Sequence, residues 1–182
     1  DGVPLHGNAD LTVHRGLELQ FTRKIGRGIS IDGSFTFADN RFIKYATFEW
    51  QEDSVINHRD KQIPGHPRSM GWLRLDYAGP RLSVWTSARH VGPLQIDRQN
   101  TSAARIDPST VISVGTVYGV ALPAKIPLGQ LELSLTVNNL FDTLYETFGY
   151  NYWDWDDAPY RVDVYWPGAT RGYFAALSLA LP

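Results

Sequence analysis

The sequence contains no cysteine in 182 residues, and this absence excludes several classes of protein. Without thiols there is no disulfide scaffold, no thiol nucleophile and no Cys-ligated zinc. The chain also lacks any run of about 18 apolar residues, which excludes a transmembrane helix. Its formal net charge of −2 gives no overall attraction to nucleic acid, so no nucleic-acid partner is expected.

Aromatic residues, by contrast, are abundant. They make up 13% of the chain and include six Trp, within a hydrophobic content of 43% that is typical of folded proteins. Trp and Tyr favour sites that are apolar at one end and wet at the other, such as membrane interfaces and carbohydrate-binding surfaces. The length fits one domain or part of a larger one. Because the chain begins at Asp1 without Met, we expect a mature or excised segment.

Apolar and polar residues alternate along most of the chain, which is typical of strands with one apolar and one polar face. Leu17, Leu19 and Phe21 show this pattern first, and it recurs at 29–37, 73–77, 82–84, 131–137 and 173–181. The segment 110–122 is apolar on both faces, so its register is ambiguous. No helical spacing is sustained. About seven strands are predicted, and strands of about 10 alternating residues are long enough to cross a membrane within a β-barrel.

The connections between these strands alternate between short and long. The short connections lie at 26–28, 78–80 and 123–129, and the long ones at 39–66, 92–108 and 141–168. This regular alternation is the pattern of an outer-membrane barrel, which has small periplasmic turns and large outer loops. A soluble sandwich seldom separates its connections so regularly.

Motifs near the C-terminus are the most specific feature of the sequence. A predicted strand runs into an Asn-Asn-Leu-Phe-Asp sequence, and a Pro-Gly pair precedes the last strand; the residues are Asn138, Asn139, Leu140, Phe141, Asp142, Tyr145, Pro167 and Gly168. Three looser motifs come earlier, at 14–21, 33–39 and 63–68. In this order the four motifs resemble the C-terminal β-barrel portion of TonB-dependent outer-membrane receptors.

The resemblance implies that residues 1–182 are all-β and form an antiparallel transmembrane segment, about seven strands of a barrel of about 22. It implies the bacterial outer membrane, contact with its lipid, and uptake of a scarce ligand such as a ferric siderophore, haem, cobalamin or an oligosaccharide. A plug domain is expected to be absent from this segment. The plug, the remaining strands and the site for a TonB-type energy transducer are expected outside it.

Enzyme activity and a resident cofactor are not expected. No nucleophile elbow, phosphate-binding loop or paired-carboxylate arrangement stands out in the sequence. The charges Arg74 and Asp76 fall on the polar side of a predicted strand, where a water-filled or plugged barrel interior accounts for them. The Asn138–Asp142 motif is interpreted as structural, because Asn and Asp side chains tie strand ends to loop backbone through local hydrogen bonds.

The long loop at 141–168 is the strongest candidate for ligand binding. Its aromatic side chains can stack on an aromatic chelate or a sugar; the candidates are Tyr150, Tyr152, Trp153, Trp155, Tyr160, Tyr165 and Trp166. Packing against neighbouring loops or at the membrane interface is an alternative of equal weight. The Asp residues at 154, 156 and 157 lack the Gly and Glu spacing of a calcium loop, so no metal site is predicted.

Two histidines, His58 and His66, share the long loop at 39–66. They are candidates for contact with a metal chelate, but their spacing matches no metal motif, and solvent exposure is the favoured interpretation.

Two other functions stay open. The chain can be a split or degenerate barrel subunit that serves as a structural component of an envelope complex. It can also be a soluble β-sandwich that binds carbohydrate through its aromatic loop.

Overall fold

The computed structural model describes residues 8–49, 53–122, 130–154 and 160–180. These residues form thirteen strands. They contain no helix that is long and apolar enough to cross a membrane. The short connection predicted at 123–129 lies outside the described residues.

Seven long strands form one antiparallel sheet, which we call the wall. Its strands are β1 (Leu11–Gly26), β2 (Ile29–Lys44), β5 (Ser69–Ala78), β6 (Leu82–Val91), β9 (Ser109–Val120), β10 (Gln130–Asn138) and β13 (Gly172–Ala180). Their order in the sheet is β1-β2-β5-β6-β9-β10-β13, so each wall strand lies beside the next one in the chain. The prediction of an all-β antiparallel fold with about seven strands is confirmed.

Three small two-stranded sheets lie within the long connections. They pair β3 (Ala46–Glu49) with β4 (Ser54–Asn57), β7 (Leu94–Gln95) with β8 (Arg105–Ile106), and β11 (Glu146–Asp154) with β12 (Tyr160–Pro167). Because consecutive wall strands are antiparallel, all three long connections leave the wall at the same end. The turn at the opposite end between β1 and β2 uses positive φ at Gly26 (104°), Arg27 (50°) and Gly28 (80°).

The predicted boundary of the first long connection was wrong. The sequence placed its start at residue 39, but β2 continues to Lys44 and stays paired with β1 as far as Leu11. Asp39, Asn40 and Arg41 interrupt the apolar alternation, which is why the pattern seemed to end there. Asp39 and Asn40 instead bond across the strand pair, to Arg15 at 2.9 Å and His14 at 2.8 Å, and Arg41 pairs with Asp39 on the same strand. The connection therefore spans 45–68.

One face of the wall, which we call the apolar face, carries aliphatic and aromatic side chains. Directly paired residues share a face, and the register places Leu17 opposite Phe37 and Leu133 opposite both Tyr118 and Leu177. These side chains stay exposed, at 55% for Leu17 and 68% for Leu177. A β-sandwich would bury such a face under a second sheet, and no sheet of the described residues covers this one. The β-sandwich alternative therefore does not fit the observed fold.

The opposite face, the polar face, carries Glu18, Thr36, Arg74 and Asp76. Arg74 donates to Asp76 at 2.7 Å and lies 4.5 Å from the centre of the Trp85 ring. Both charges therefore lie on the side that the alternation predicted.

Charged residues bound the apolar face at both ends of β1. Arg15 and Arg23 lie on the same face as Leu17, Leu19 and Phe21 and flank them. At ~3.3 Å per residue the two arginines are about 26 Å apart along the strand. At the strand tilt of about 35–45° found in outer-membrane barrels, this separation corresponds to about 19–22 Å of height, slightly less than their apolar band of about 25 Å.

A charge placed on the apolar face should destabilise the protein in a bilayer. We expect Leu133→Arg to cost about 2–4 kcal/mol of unfolding free energy, because the guanidinium would lie in the apolar band. The matched control is Ser134→Arg, one residue along β10 on the polar face. Urea unfolding in phospholipid vesicles, followed by Trp fluorescence, measures both; equal losses would contradict the assignment of the two faces.

Candidate functional site

The three long connections pack together at one end of the wall into a unit that we call the loop cap, which comprises the described residues of 45–68, 92–108 and 139–171. The described residues have one cluster of buried apolar side chains, and it lies in this cap rather than in the wall. Its members are Leu94, Ile96, Ala104 and Ile106, with Tyr165 packed against them.

Hydrogen bonds join the first connection to the second. The Gln62 backbone N–H donates to Asn100 Oδ1 at 2.6 Å, and Asn100 Nδ2 donates back to the Gln62 carbonyl at 2.9 Å. Asn100 has a φ of 55°, a left-handed conformation that Asn tolerates better than most residues. The Gly65 N–H donates to the Gln95 carbonyl at 3.0 Å. The two connections are thus tied by the Asn100 side chain and by one backbone–backbone hydrogen bond.

His58 lies at this junction and is 1% exposed, so the expectation that it is solvent-exposed was wrong. Its Nδ1–H donates to the Arg98 carbonyl at 3.2 Å, and Thr47 Oγ1 lies 2.7 Å from its Nε2. The rings of Phe42 and Tyr45 flank it at 6.3 and 5.3 Å between ring centres. A polar side chain buried among rings needs such partners, and their positions far along the chain hid this environment from sequence reasoning.

A charged network joins the second connection to the third. Asp97 is 7% exposed and accepts hydrogen bonds from Thr101 Oγ1 at 2.6 Å and Arg161 Nη1 at 3.3 Å. The same guanidinium donates to Asp163 at 2.9 Å. A buried carboxylate requires compensation of this kind, since a single unpaired charge is costly to bury.

Two further contacts tie the β11–β12 hairpin to the second connection. Asn151 Nδ2 donates to the Ile96 carbonyl at 3.2 Å, and the Tyr165 hydroxyl donates to the Ala103 carbonyl at 3.0 Å. Burial raises the pKa of Tyr165 above its usual value, and the carboxylate of Asp163 adds to this shift. The phenol therefore stays protonated and keeps its role as a donor at neutral pH.

The other side of the hairpin presents aromatic rings to solvent. We call this surface the aromatic face; it consists of Phe148, Tyr150, Tyr152, Tyr160 and Trp166. The Trp166 ring lies 5.4 Å from Phe148 and 5.3 Å from Tyr150, and Tyr150 stacks with Tyr152 at 6.0 Å. Four rings thus form a continuous apolar platform.

The predicted ligand residues of the long loop divide between the two sides of this hairpin. Tyr150, Tyr152, Tyr160 and Trp166 lie on the aromatic face, whereas Trp153 and Tyr165 lie on the side that faces the cap. Trp155 lies outside the described residues. The Tyr160 hydroxyl donates to Asp154 at 3.3 Å, and the negative charge of Asp154 is the main cause of a raised Tyr160 pKa.

Two open cavities adjoin the cap. One of about 680 Å³ lies between the connections and is lined by His58, Arg98, Tyr150, Tyr152, Trp153 and Arg161, among others. The other, of about 480 Å³, lies beneath the cap on the polar face, with Trp72, Arg89, Tyr145, Glu146 and Phe148 in its lining. Both volumes lie in the range of small-molecule sites.

The Asn-Asn-Leu-Phe-Asp motif forms the joint between β10 and the third connection. Asn139 is buried, with a φ of 50°. Its Nδ2 donates to the carbonyls of Thr143 and Ala169, each at 3.0 Å, and its Oδ1 accepts from the Thr143 N–H at 2.9 Å. One side chain therefore holds both ends of the connection.

The rest of the motif completes this joint. Asp142 Oδ1 accepts from the Arg171 N–H at 2.8 Å, and the Leu140 N–H donates to the carbonyl of Ile112 at 2.7 Å. Phe141 is 66% exposed, and it makes no part of the buried cluster.

The last two motif positions close the base of the third connection. Pro167 ends β12 opposite Glu146, and the Gly168 N–H donates to the carbonyl of Tyr145 at 2.7 Å. A Cβ on Gly168 would overlap the Tyr145 ring, so glycine lets the ring lie against the backbone.

Sequence reasoning missed Asp97, Asn100 and Arg161, which join the connections. Asp97 and Thr101 are four residues apart, which is not the two-residue spacing of an Asx turn, so their contact had no clear signal in the sequence. Nothing in the sequence pointed to Arg161 as the partner of Asp97. Among the described residues, no group of three or more His, Cys, Asp or Glu is placed to hold a metal ion.

No family model and no curated protein matches the chain. Solved structures do match. The siderophore receptor PiuA from Acinetobacter baumannii is 19% identical, with a TM-score of 0.69, over 91% of this chain and 21% of that one. The ferric citrate transporter FecA, unliganded, is 20% identical, with a TM-score of 0.65, over 91% and 24%. The copper transporter OprC is 18% identical, with a TM-score of 0.59, over 91% and 23%.

The chain thus spans less than a quarter of the length of these three proteins. Likeness at such identities shows the fold, which is that of part of the β-barrel of these proteins with its long loops. The resemblance to TonB-dependent receptors is confirmed at this level.

Removal of the Asn139 side chain should open the base of the third connection. We expect Asn139→Ala to lose about 3 kcal/mol of local stability, from three hydrogen bonds and a left-handed conformation that alanine disfavours. Amide hydrogen exchange at Thr143 should become roughly a hundredfold faster, at 1.4 kcal/mol per tenfold. Asn138→Ala, on the exposed neighbour, is the control, and equal exchange in both variants would refute the role of Asn139.

Proposed function

We propose that this chain is part of the barrel of a TonB-dependent receptor in the bacterial outer membrane, and that the receptor takes up a scarce ligand. The ligand class that we favour is a ferric siderophore or a related metal chelate. The chain itself performs no reaction on that ligand. Its loops bind, and its wall forms part of the passage.

The observation that carries this proposal is the wall with one exposed apolar face and three long connections at one end. Lipid is the environment that such a face requires, because water would leave every one of these apolar side chains solvated. The matched receptor and transporter structures, which cover 91% of the chain, support the same assignment.

The wall also indicates what partners the chain needs. Within the described residues β1 pairs only with β2, and β13 only with β10, so both edges present unpaired backbone groups. In lipid those groups require further strands, since an open edge has no water to bond to. The polar face, with Arg74, Asp76 and Arg89, suits a plug domain. A TonB-type transducer would act on that plug from outside this segment.

The aromatic face is the proposed ligand surface. Its rings are exposed and preordered by the contacts of the opposite hairpin side, so binding would cost little side-chain entropy. The cavity of about 680 Å³ beside Tyr150 and Tyr152 gives a chelate a place to lie. Both ring nitrogens of His58 are engaged within the cap, so we propose no direct role for it in binding. We assign His66 no part in this surface.

A structural subunit of an envelope complex is the second candidate. The loop cap favours this candidate, because its own buried cluster and hydrogen bonds hold its shape. The two candidates differ in one respect that can be measured, because only a receptor binds a ligand and moves it in an energy-dependent way.

The test uses the complete gene product that contains this segment, in outer membranes. Binding of ferric catecholate, ferric hydroxamate, ferric citrate and haem is followed by Trp quenching, and uptake is followed with and without an uncoupler. We expect one chelate to bind and to enter only in energised cells. Loss of two rings in Tyr150→Ala/Tyr152→Ala should weaken binding roughly tenfold, at about 0.5–1.5 kcal/mol per aromatic contact.

Phe141→Ala is the matched control, since it removes an exposed ring of the cap that lies outside the aromatic face. If both variants bind alike, the aromatic face is not the site. If no chelate binds and none enters, the receptor proposal fails and the structural subunit takes its place.

A further inference from the structure

We infer that His14 and His66 form a two-nitrogen site for a first-row transition-metal ion, with Cu²⁺ bound most tightly. His14 is on β1 and points to the polar face, while His66 is in the first long connection. The fold brings them together across 52 positions of sequence (66 minus 14). This site is separate from the aromatic face and does not depend on the receptor proposal.

The separation of the two rings suits a shared metal ion. Their centres are 6.2 Å apart, with an angle of 72° between planes. A metal–nitrogen bond of ~2.0 Å places a coordinated ring centre about 3.2 Å from the metal, so two rings lie about 5.2–6.4 Å apart between tetrahedral and linear arrangements. The observed distance falls within that range and is close to the ~6.4 Å expected for two rings placed trans on a tetragonal Cu²⁺ ion.

His14 is already oriented for this role. Its Nδ1 lies 2.8 Å from Asn40 Oδ1, to which it donates, and this contact fixes the tautomer that leaves the Nε2 lone pair available. Thr12 Oγ1 is 3.2 Å from Nε2 and would be displaced by the metal. Metal-binding histidines commonly donate their other ring N–H to an oxygen in this way.

The backbone of His66 is held in place as well. Gln62 Nε2 donates to the His66 carbonyl at 2.5 Å, and Gln62 is itself buried and bonded to Asn100. The Gly65 N–H is bonded to Gln95. Only the exposed imidazole of His66 is left to turn, so the cost of ordering it on a metal is that of one side chain.

The donor set decides the kind of metal. Two neutral imidazoles beside the neutral groups of Asn40 and Thr12 offer nitrogen rather than carboxylate oxygen, which favours copper, nickel or zinc over Mg²⁺ and Ca²⁺. Among divalent ions Cu²⁺ binds such ligands most tightly. With two protein ligands, water would fill the other positions. A bound ion would cross-link the wall strand β1 to the loop cap.

The experiment titrates the complete gene product that contains this segment, folded in detergent micelles, with Cu²⁺ buffered by glycine, and records calorimetric heats and electron paramagnetic resonance spectra. We expect one site with coupling to two imidazole nitrogens. His14→Ala and His66→Ala should each weaken Cu²⁺ binding at least tenfold. Asn40→Ala, a positioning variant, should weaken it roughly tenfold or more, as loss of outer-shell partners does.

His90→Ala is the control and should leave the affinity unchanged, because His90 lies on the opposite face, bonded to Thr110. The His90→Ala variant also retains the chain N-terminus and His6, so any copper bound by these groups is the same in the control and in the tested variants. Cu²⁺ binding by His14→Ala and His66→Ala equal to that of His90→Ala would overturn the inference, as would a spectrum with one imidazole nitrogen. His66 is on an exposed loop, so that variant remains informative if His14→Ala fails to fold.

Discussion

The apolar face of the wall, which no part of the described chain covers, is the constraint on which the rest of the structure depends. A sheet of this kind has no core beneath it, so its order must come from complete ladders of backbone hydrogen bonds between neighbouring strands. An antiparallel arrangement of consecutive strands supplies these ladders with the least chain. Lipid makes the requirement stricter, since a backbone group without a partner there has no water to replace it.

This constraint moves the hydrophobic core into the loops. Leu94, Ile96, Ala104 and Ile106 form a small cluster, too small to fix three long connections alone. Buried polar groups supply the rest of the order. Asp97 and Asn139 each make several hydrogen bonds, as buried polar groups must to offset the loss of water. Because these bonds are directional, they determine one arrangement of the cap where apolar packing alone would tolerate several.

The wall could be predicted from sequence because its information is local. A period of two, seen at Leu17, Leu19 and Phe21, requires no knowledge of what lies opposite. The same pattern failed at Asp39 to Lys44, where the strand continues past the apolar band and the polar residues read as a loop. The alternation did not predict which residues of 110–122 lie on which face, because the register of this segment is fixed by pairing with β6 and β10 rather than by its own residues.

The cap was harder to predict because its contacts join residues far apart in the chain. The sequence showed that the hairpin is rich in aromatic residues. It could not show which of their rings face solvent, because that depends on which side of the hairpin bonds to the second connection. Burial of His58 likewise depends on Arg98, forty residues away. The Asn-Asn-Leu-Phe-Asp motif was the exception. Two of its hydrogen bonds, between Asn139 and Thr143, are local, and the residue types suggested a tie of this kind. Its bonds to Ile112, Ala169 and Arg171 are long-range and could not be seen in the sequence.

One side of the β11–β12 hairpin is bonded to the loop cap, and the other is the aromatic face. This division affects how the hairpin can bind a ligand. Arg161, on the side that faces the cap, pairs with both Asp97 and Asp163, so its charge is already compensated within the cap. Under the proposed function, a ligand on the aromatic face meets these rings, and the adjoining cavity adds Arg98 and the already paired Arg161. Affinity at such a surface comes from stacking and shape, and its preorganisation lowers the entropy cost of binding. The same contacts that hold the cap together thereby determine the chemistry that the aromatic face can offer.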